Sequence, residues 1–291
     1  MVLFRYQQPA RWRALLVLGR ISNLPTVWSN CLAGWLLGGA VSFASLLWLC
    51  LGASLLYLGG MFLNDAFDAG FDRRFRRERP IPAGHVDEKL VWLLGWGQLG
   101  FGALLLVGLA GVGMFLCLLL VGSIILYDAV HKHFPFSPVI MAGCRFFLMM
   151  AAFDVSGDPW QGRALWSSLA LAFYIIGLSY VAKRESTGAI ISLWPCLFIG
   201  APLVLGFLVN NGRFFWSGLA AVLLLLLWIV WCLQFVFRKQ QIQIVRTVSG
   251  LLAGIPLVDM VAVVGFDPVW SAVMILLFVG ALALQRFVPA T

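Results

Sequence analysis

Three aspartates lie close together directly after a long apolar segment of the chain. Asp65, Asp68 and Asp72 fall within eight positions, although the whole chain has only twelve acidic residues. If the preceding helix continues through them, Asn64 and the three aspartates occupy about a 100° arc of one helical face. Like charges at three- and four-residue spacing repel each other, and a bound divalent cation would remove that repulsion. Oxygen-rich carboxylate sites suit Mg²⁺ that carries a substrate phosphate.

A basic run follows the aspartates and precedes a short proline-containing segment. The run consists of Arg73, Arg74, Arg76, Arg77 and Arg79, and the segment is Arg79-Pro80-Ile81-Pro82-Ala83-Gly84-His85. Guanidinium groups bind phosphate oxygens in a bidentate manner. A solvated, charge-alternating loop between two membrane helices is the alternative interpretation. The placement of the acids on one face, together with the proline-containing segment, favours a phosphate and metal site.

The composition indicates a polytopic membrane protein. The chain has 291 residues, of which 62% are hydrophobic and 11% are charged, whereas soluble domains carry roughly 25% charged residues. The net charge of +8 comes from residues beside helix ends, where the positive-inside rule places them, so we expect no nucleic-acid partner. The six cysteines are scattered through apolar segments without metal-ligand spacing and are interpreted as small core residues.

The apolar segments and their connections predict the topology. Residues 1–22 are predicted to form an interfacial segment and residues 67–87 a loop. The predicted membrane helices are about 23–41, 44–66, 88–108, 111–129, 138–154, 164–182, 189–209, 214–237, 247–265 and 268–286. Connections after even-numbered helices carry Lys and Arg, which places the N-terminus and the polar loops in the cytoplasm. We therefore expect an all-α, polytopic transmembrane helical bundle of nine or ten helices. It would form a single domain over residues 1–291 in a bacterial inner membrane, with a cytoplasm-facing cap of polar loops.

Two charged residues fall within predicted membrane helices. Arg145 lies among apolar residues of the fifth helix, and Asp259 lies in the ninth. Charged side chains within a span usually face the bundle interior and mark function. Arg145 is interpreted either as a contact for a diphosphate or an acidic acceptor, or as a structural partner of a group such as Asp259.

The two motifs resemble those of a known family. Asn64-Asp65-x-x-Asp68-x-x-x-Asp72, followed by Arg79-Pro80-Ile81-Pro82-x-Gly84, resembles the signature of the UbiA superfamily of intramembrane prenyltransferases. The resemblance covers most of the chain, from Asn23 to about residue 260. Tyr127 and Lys132 at the end of the fourth helix resemble a Tyr/Lys pair of that family. Asn23 resembles a polar residue at the start of the family's first helix that faces the cavity.

The resemblance implies a reaction and the residues that carry it. An isoprenyl group would pass from an isoprenyl diphosphate to an unidentified acceptor by Mg²⁺-dependent ionisation in a lipid-facing cleft, with membrane lipids around the chain. The implied metal ligands are Asn64, Asp65, Asp68, Asp72 and Glu185. The implied catalytic groups are Asp65, Asp68, Asp72, Lys132 and Tyr127. The implied substrate-binding groups are Asn23, Asn64, Arg73, Arg77, Arg79, Arg145, Lys183 and Arg184.

One segment departs from the family pattern. Family members usually carry a second Asp-rich motif after the sixth helix, but this chain has Ser179-Tyr180-Val181-Ala182-Lys183-Arg184-Glu185 there. Lys183 would repel a metal and could contact the diphosphate directly, which leaves Glu185 as a lone metal ligand. Anchoring of the membrane topology explains Lys183 and Arg184 equally well. This form resembles the EboC-like branch of the superfamily, and segment 268–286 would add a tenth crossing to the nine that are typical.

Three other functions fit parts of the pattern. A transporter would use the acids as a cation site, but transporters bind their substrates near the bilayer midplane in broken helices, whereas these acids cluster towards one membrane face. Another polyprenyl-phosphate or diphosphate group transferase, such as a phosphoribosyl transferase, would need the same metal site. A non-catalytic lipid-binding homologue would account for the altered segment after the sixth helix.

Overall fold

The computed structural model describes residues 11–156, 161–183, 193–210, 212–237 and 243–290, and every regular element in these ranges is helical. The α-helices are α1 (Arg11–Leu18), α2 (Leu24–Leu37), α3 (Phe43–Phe75), α4 (Glu88–Leu105), α5 (Met114–Val130), α6 (Ser137–Asp154), α7 (Gly162–Lys183), α8 (Trp194–Ile199), α9 (Ala201–Val209), α10 (Phe215–Phe237), α11 (Ile244–Ala253), α12 (Ile255–Val263) and α13 (Pro268–Leu284). A 3₁₀ turn, Ile21–Asn23, precedes α2, and a π-helical turn, Leu106–Ala110, extends α4. The predicted all-α fold is confirmed.

Helices of membrane-spanning length and composition dominate the described ranges. Six helical segments there are long and apolar enough to cross a membrane, and shorter apolar helices accompany them, including α5 and α13. The last of these, Pro268–Leu284, is the additional apolar helix that the sequence predicted as segment 268–286. The chain is therefore an integral membrane protein.

The helix that carries the aspartates is longer than predicted. The sequence predicts a helix over 44–66 and a loop over 67–87, but α3 continues to Phe75, so the first part of the predicted loop is wrong. No proline occurs between Phe43 and Pro80 to interrupt the helix, and the backbone N–H of Arg76 still donates to the carbonyl of Asp72 at 2.8 Å. Its 33 residues span about 50 Å at 1.5 Å per residue. This length exceeds a hydrocarbon core of about 30 Å.

Two predicted helices are interrupted at glycines. The predicted helix 189–209 is described from Trp194 and breaks at Gly200, and the predicted helix 247–265 breaks at Gly254. A proline follows each break two residues later and lacks the N–H that would continue the ladder of hydrogen bonds. At Gly254 a Cβ atom would lie 2.8 Å from the ring of Trp228. The close approach of Trp228 on α10 therefore leaves no room for a larger residue than glycine at this break.

A small apolar cluster holds the end of α3 in place. Helix α1 and the segment after α3 both pack against apolar residues of α3 that lie beside Asp65 and Asp72. The cluster consists of Ala14, Leu18, Phe62, Ala66, Ala69, Ile81, Val86 and Val91. Because α1 and the segment 76–87 close on the same helix, they fix the direction in which its polar face points.

The two ends of the described chain meet near the start of α2. The side-chain amide of Asn23 donates to the carbonyl of Ala290 at 3.0 Å, and the hydroxyl of Ser22 donates to the carbonyl of Pro289 at 3.4 Å. The residues that follow α13 therefore lie at the same end of the bundle as the N-terminus of α2.

Candidate active site

The four polar residues of the motif lie on one buried face of α3. Asn64, Asp65, Asp68 and Asp72 are each at most 9% exposed, whereas Phe67 on another face is 39% exposed. The predicted common face is therefore present in the structure. Burying three carboxylates on one helix is costly unless cations, hydrogen-bond donors or metals lie opposite them.

Asp68 is paired with the residues that follow α5. Its Oδ1 lies 2.7 Å from Nζ of Lys132, and its Oδ2 lies 3.4 Å from Nε2 of His131. The ammonium group of Lys132 also lies 4.0 Å above the ring centre of Phe71. The side chain of Lys132 keeps 25% of its exposure, so a ligand at this face can reach it.

The same carboxylate raises the pKa of His131. Burial by itself lowers the pKa of its imidazole, but the hydrogen bond and charge of Asp68 outweigh burial, and the backbone and carboxylate of Asp128 act in the same direction. The net result is a raised pKa for His131. Its ring also stacks on Tyr127 with 5.1 Å between ring centres. Tyr127 therefore lies beside the paired Asp68, at the position where the sequence predicts a catalytic group.

Asp65 is paired with two arginines from other parts of the chain. Nη1 of Arg79 lies 2.9 Å from its Oδ1, and Nη2 of Arg20 lies 3.9 Å from the same atom. The proline-containing segment turns Arg79 back onto α3, with backbone hydrogen bonds from Ala83 and His85 to the carbonyls of Arg79 and Pro80. This turn needs a left-handed residue, and Gly84 with φ +74° provides it.

Two buried carboxylate oxygens at this face have no hydrogen-bond partner among the described residues. They are Oδ1 of Asp72 and Oδ2 of Asp128. Oδ1 of Asp128 accepts a hydrogen bond from the amide of Asn64 at 3.1 Å. A narrow cleft beside Asp72 is also bordered by Asp65, Arg79 and Leu18. The unsatisfied oxygen of Asp72 beside this cleft indicates a place for a cation or a hydrogen-bond donor.

The donor set fits Mg²⁺ that is bound together with a phosphate. In the part of the chain that the structure describes, no three His, Cys, Asp or Glu side chains converge to hold a metal by themselves. Mg²⁺ keeps several waters and is usually bound by one or two carboxylates together with substrate phosphates. Asp72, with its unsatisfied oxygen, and the neighbouring Asp68 are of the type that such a site requires.

The other predicted site residues are distributed around this centre. Arg73 pairs with Glu88 and Arg77 donates to the carbonyl of Arg73 at 3.3 Å, so both lie at the exposed rim. Nζ of Lys183 donates to the carbonyl of Pro135 at 3.2 Å, in the connection that begins with His131. Arg184 and Glu185 lie outside the described residues.

Arg145 and Asn23 make their hydrogen bonds away from the aspartates of α3. Arg145 donates to α2, and Asn23 is shared between the hydroxyl of Tyr57, at 3.2 Å, and the carbonyl of Ala290. Neither residue contacts the aspartates of α3 among the contacts of the described chain. Their predicted role in substrate binding stays a prediction.

Sequence reasoning missed two contributors to the site. Neither Arg20 nor Asp128 is among the site residues that the sequence predicts. In the structure Lys132 turns to Asp68, and Asp128 binds Asn64. The sequence signal for Asp128 is its position directly after Tyr127 of the predicted Tyr/Lys pair. Recognising that Asp128 contacts Asn64 also requires knowledge of how α3 and α5 pack.

The family model of the UbiA prenyltransferases matches residues 22–243. The chain belongs to the UbiA prenyltransferase family. This membership supports a transferase that acts on a prenyl donor and an acceptor in a membrane. The matched range includes the motif on α3, the turn that carries Arg79, and Lys132.

Solved structures of UbiA proteins share the fold. An apo structure of a UbiA homologue from Aeropyrum pernix K1 aligns with a TM-score of 0.66 at 15% identity, covering 84% of this chain and 97% of that one. A digeranylgeranylglyceryl phosphate synthase structure aligns with a TM-score of 0.59 at 15% identity, covering 94% of this chain and 99% of that one. Among curated protein sequences, none matches the chain significantly. At this identity the structural likeness concerns the UbiA fold alone.

Proposed function

We propose that the chain transfers an isoprenyl group from an isoprenyl diphosphate to an acceptor in a Mg²⁺-dependent reaction. The observation that carries the proposal is the buried face of α3, where Asp65, Asp68 and Asp72 lie opposite cationic side chains. Family membership supports prenyl transfer in general, and this face supplies groups for a diphosphate and its metal ion. Mg²⁺, when bound, would neutralise charge on the leaving diphosphate.

The cations around this face would bind the diphosphate. Lys132 and Arg79 are partly exposed and each already holds one carboxylate. When the carboxylates turn to a metal ion, these two cations become available to the phosphate oxygens. Because the charge on the leaving group grows as the C–O bond breaks, fixed positive groups at this position stabilise the transition state more than the ground state.

Several neighbouring residues would position the reaction. Asn64 holds Asp128 in place through its amide, which leaves the Oδ1 of Asn64 to face a ligand. Tyr127 would present its ring to the developing allylic cation, because the face of an aromatic ring attracts positive charge. Lys183 would bind the diphosphate from the end of α7. We place the site and the N-terminus on the cytoplasmic side, on the basis of the basic connections.

Pyrophosphate release tests this proposal. Purified protein in lipid nanodiscs is incubated with isoprenyl diphosphates of increasing chain length, with Mg²⁺ and, separately, with a chelator in excess. We expect pyrophosphate release with at least one donor in Mg²⁺ and none in the chelator. Release that is unaffected by chelation, or no release with any donor, would overturn the proposal.

A further inference from the structure

A second polar centre lies inside the bundle and connects three helices. Nη1 of Arg145 on α6 donates to Oδ1 of Asn30 at 2.8 Å and to the carbonyl of Thr26 at 3.0 Å. Its Nη2 donates to the hydroxyl of Thr26 at 2.9 Å. All three acceptors are neutral oxygens on α2. The guanidinium group is therefore well supplied with partners before any ligand arrives.

The charge that balances Arg145 lies on the other side of Asn30. Oδ2 of Asp259 on α12 accepts from the amide of Asn30 at 2.7 Å and from the hydroxyl of Ser29 at 2.6 Å. The amide of Asn30 thus joins cation and anion, since its oxygen faces Arg145 and its nitrogen faces Asp259. With this balance, the centre has no excess positive charge to attract an acidic ligand.

One hydrogen-bonding position of this centre is unfilled. Asp259 is only 1% exposed, yet its Oδ1 has no hydrogen-bond partner among the described residues. A carboxylate inside a membrane bundle is costly, and such groups face the interior and mark function. The open position belongs to an acceptor oxygen, so the group that fills it must bring a hydrogen-bond donor.

The centre is connected to the diphosphate site by a series of polar contacts. The guanidinium of Arg145 lies 5.9 Å from the ring centre of Tyr57, whose hydroxyl contacts Asn23 at 3.2 Å and the carbonyl of Arg20 at 3.4 Å. Arg20 in turn lies 3.9 Å from Asp65. Asn30 lies seven positions after Asn23, the residue that precedes α2, which corresponds to about 10 Å along the helix. The open oxygen therefore lies deeper than the diphosphate, in the direction of the apolar interior.

We infer that Asp259 binds the prenyl acceptor, and that this acceptor is a neutral molecule with a hydroxyl or amino group at its reacting end. The inference rests on the proposed function and assigns its acceptor class. The C–O bond of the donor breaks with both electrons going to the diphosphate, and a lone pair of the acceptor oxygen or nitrogen forms the new bond to carbon. The proton of that hydroxyl or amino group passes to Oδ1 of Asp259. An acidic acceptor is disfavoured because Arg145 is already satisfied and balanced.

Binding of phenol and anisole tests this inference without any prenyl donor. The two molecules share an aromatic ring, but only phenol can donate a hydrogen bond. Their affinities for the full chain in nanodiscs are measured by ligand-observed NMR, with empty nanodiscs subtracted. We expect the protein to prefer phenol by about tenfold, as for one hydrogen bond to a charged group. Equal affinities would overturn the inference.

The variant Asp259→Asn tests whether the preference for phenol over anisole arises at Asp259. Ser29 and Asn30 would hold the amide oxygen of the new side chain, so its NH₂ group would occupy the open position and donate instead of accept. The variant is expected to lose the preference for phenol, while Asp154→Asn at the other end of the bundle keeps it. A preference that survives in Asp259→Asn would overturn the inference.

The variant Asp259→Glu and the pyrophosphate-release assay distinguish failure of this inference from failure of the proposed function. If Asp259→Asn does not fold, Asp259→Glu moves the oxygen by one methylene, and an unchanged preference for phenol in that variant would count equally against the inference. Acceptor-independent pyrophosphate release is measured in the wild type and in Asp154→Asn, whose carboxylate contacts only a backbone N–H, and it is expected to be the same in both. Absence of release in the wild type would defeat the proposed function alone.

Discussion

The two ends of the bundle use aspartate in different ways. At the end opposite the motif, Oδ2 of Asp154 accepts the backbone N–H of Gly113 at 2.6 Å, and Oδ1 of Asp267 caps α13 through the N–H of Val269 at 2.9 Å. At the motif end, Asp65 and Asp68 face the side-chain cations of Arg79 and Lys132. A backbone donor is fixed in place, whereas a partly exposed side-chain cation can exchange its carboxylate for a ligand. The kind of partner that an aspartate has therefore distinguishes the candidate site from the structural turns better than the presence of an aspartate does.

The largest expected effect comes from removing a carboxylate at the motif end. Asp72→Ala removes the unsatisfied oxygen beside the cleft, and pyrophosphate release is expected to fall by at least about 100-fold, as for loss of a preorganised electrostatic group. The matched control is Asp154→Ala, which also removes one carboxylate but only from a backbone N–H. Equal losses of pyrophosphate release in Asp72→Ala and Asp154→Ala would contradict the proposed difference between the two ends of the bundle.

Lys132 tests whether the cations of the motif end bind substrate. Lys132→Met keeps much of the side-chain length and removes the ammonium group, so Asp68 retains only its contact with His131. We expect a loss of about 10- to 100-fold in kcat/KM for the isoprenyl diphosphate. The same variant with wild-type kinetics would show that Lys132 only neutralises Asp68.

Lys183 tests the segment where a second acidic motif is expected. Lys183→Asp replaces a cation with a carboxylate at the end of α7, next to the connection that carries Pro135. A new metal ligand, and loss of a diphosphate contact, are expected to change the Mg²⁺ concentration that gives half-maximal pyrophosphate release. A Mg²⁺ titration that coincides with the wild type would argue against a contact between Lys183 and the diphosphate.

The smallest effect on activity is expected from a cap at the opposite end. Asp267→Ala removes the N-cap of α13 and should lower the free energy of unfolding by about 1 kcal/mol. Pyrophosphate release at a temperature well below the unfolding midpoint should stay within about twofold of the wild type. Thermal unfolding and the release assay measure both quantities on the same preparation. Strong loss of release without loss of stability would mean that this end also takes part in the reaction.

The local features of the site could be predicted because they depend on neighbouring residues. The common face of Asn64, Asp65, Asp68 and Asp72 follows from helical periodicity. Burial of Asp72 and exposure of Phe67 agree with it. The error at the end of α3 had a physical cause. Polar composition indicated a loop, but nothing before Pro80 interrupts the backbone, so the helix continues beyond the length needed to cross the hydrocarbon core.

The contacts between distant helices could not be predicted in the same way. Asn30 joins Arg145 to Asp259 across three helices, with more than 100 residues separating each pair of partners. A single sequence indicates that the two charges require partners within the membrane, but not that a neutral amide lies between them. Arg20 likewise meets Asp65 only because α1 packs against the end of α3.

The central claim is that the aspartates of α3 bind a metal-bound diphosphate, and a binding measurement tests it most directly. The affinity of a non-hydrolysable isoprenyl thiodiphosphate is measured by calorimetry in nanodiscs, with and without Mg²⁺, for the wild type, Asp68→Ala and Asp154→Ala. We predict that Mg²⁺ strengthens binding to the wild type and to Asp154→Ala, and that this gain disappears in Asp68→Ala. A gain from Mg²⁺ that is the same in all three proteins would contradict the claim.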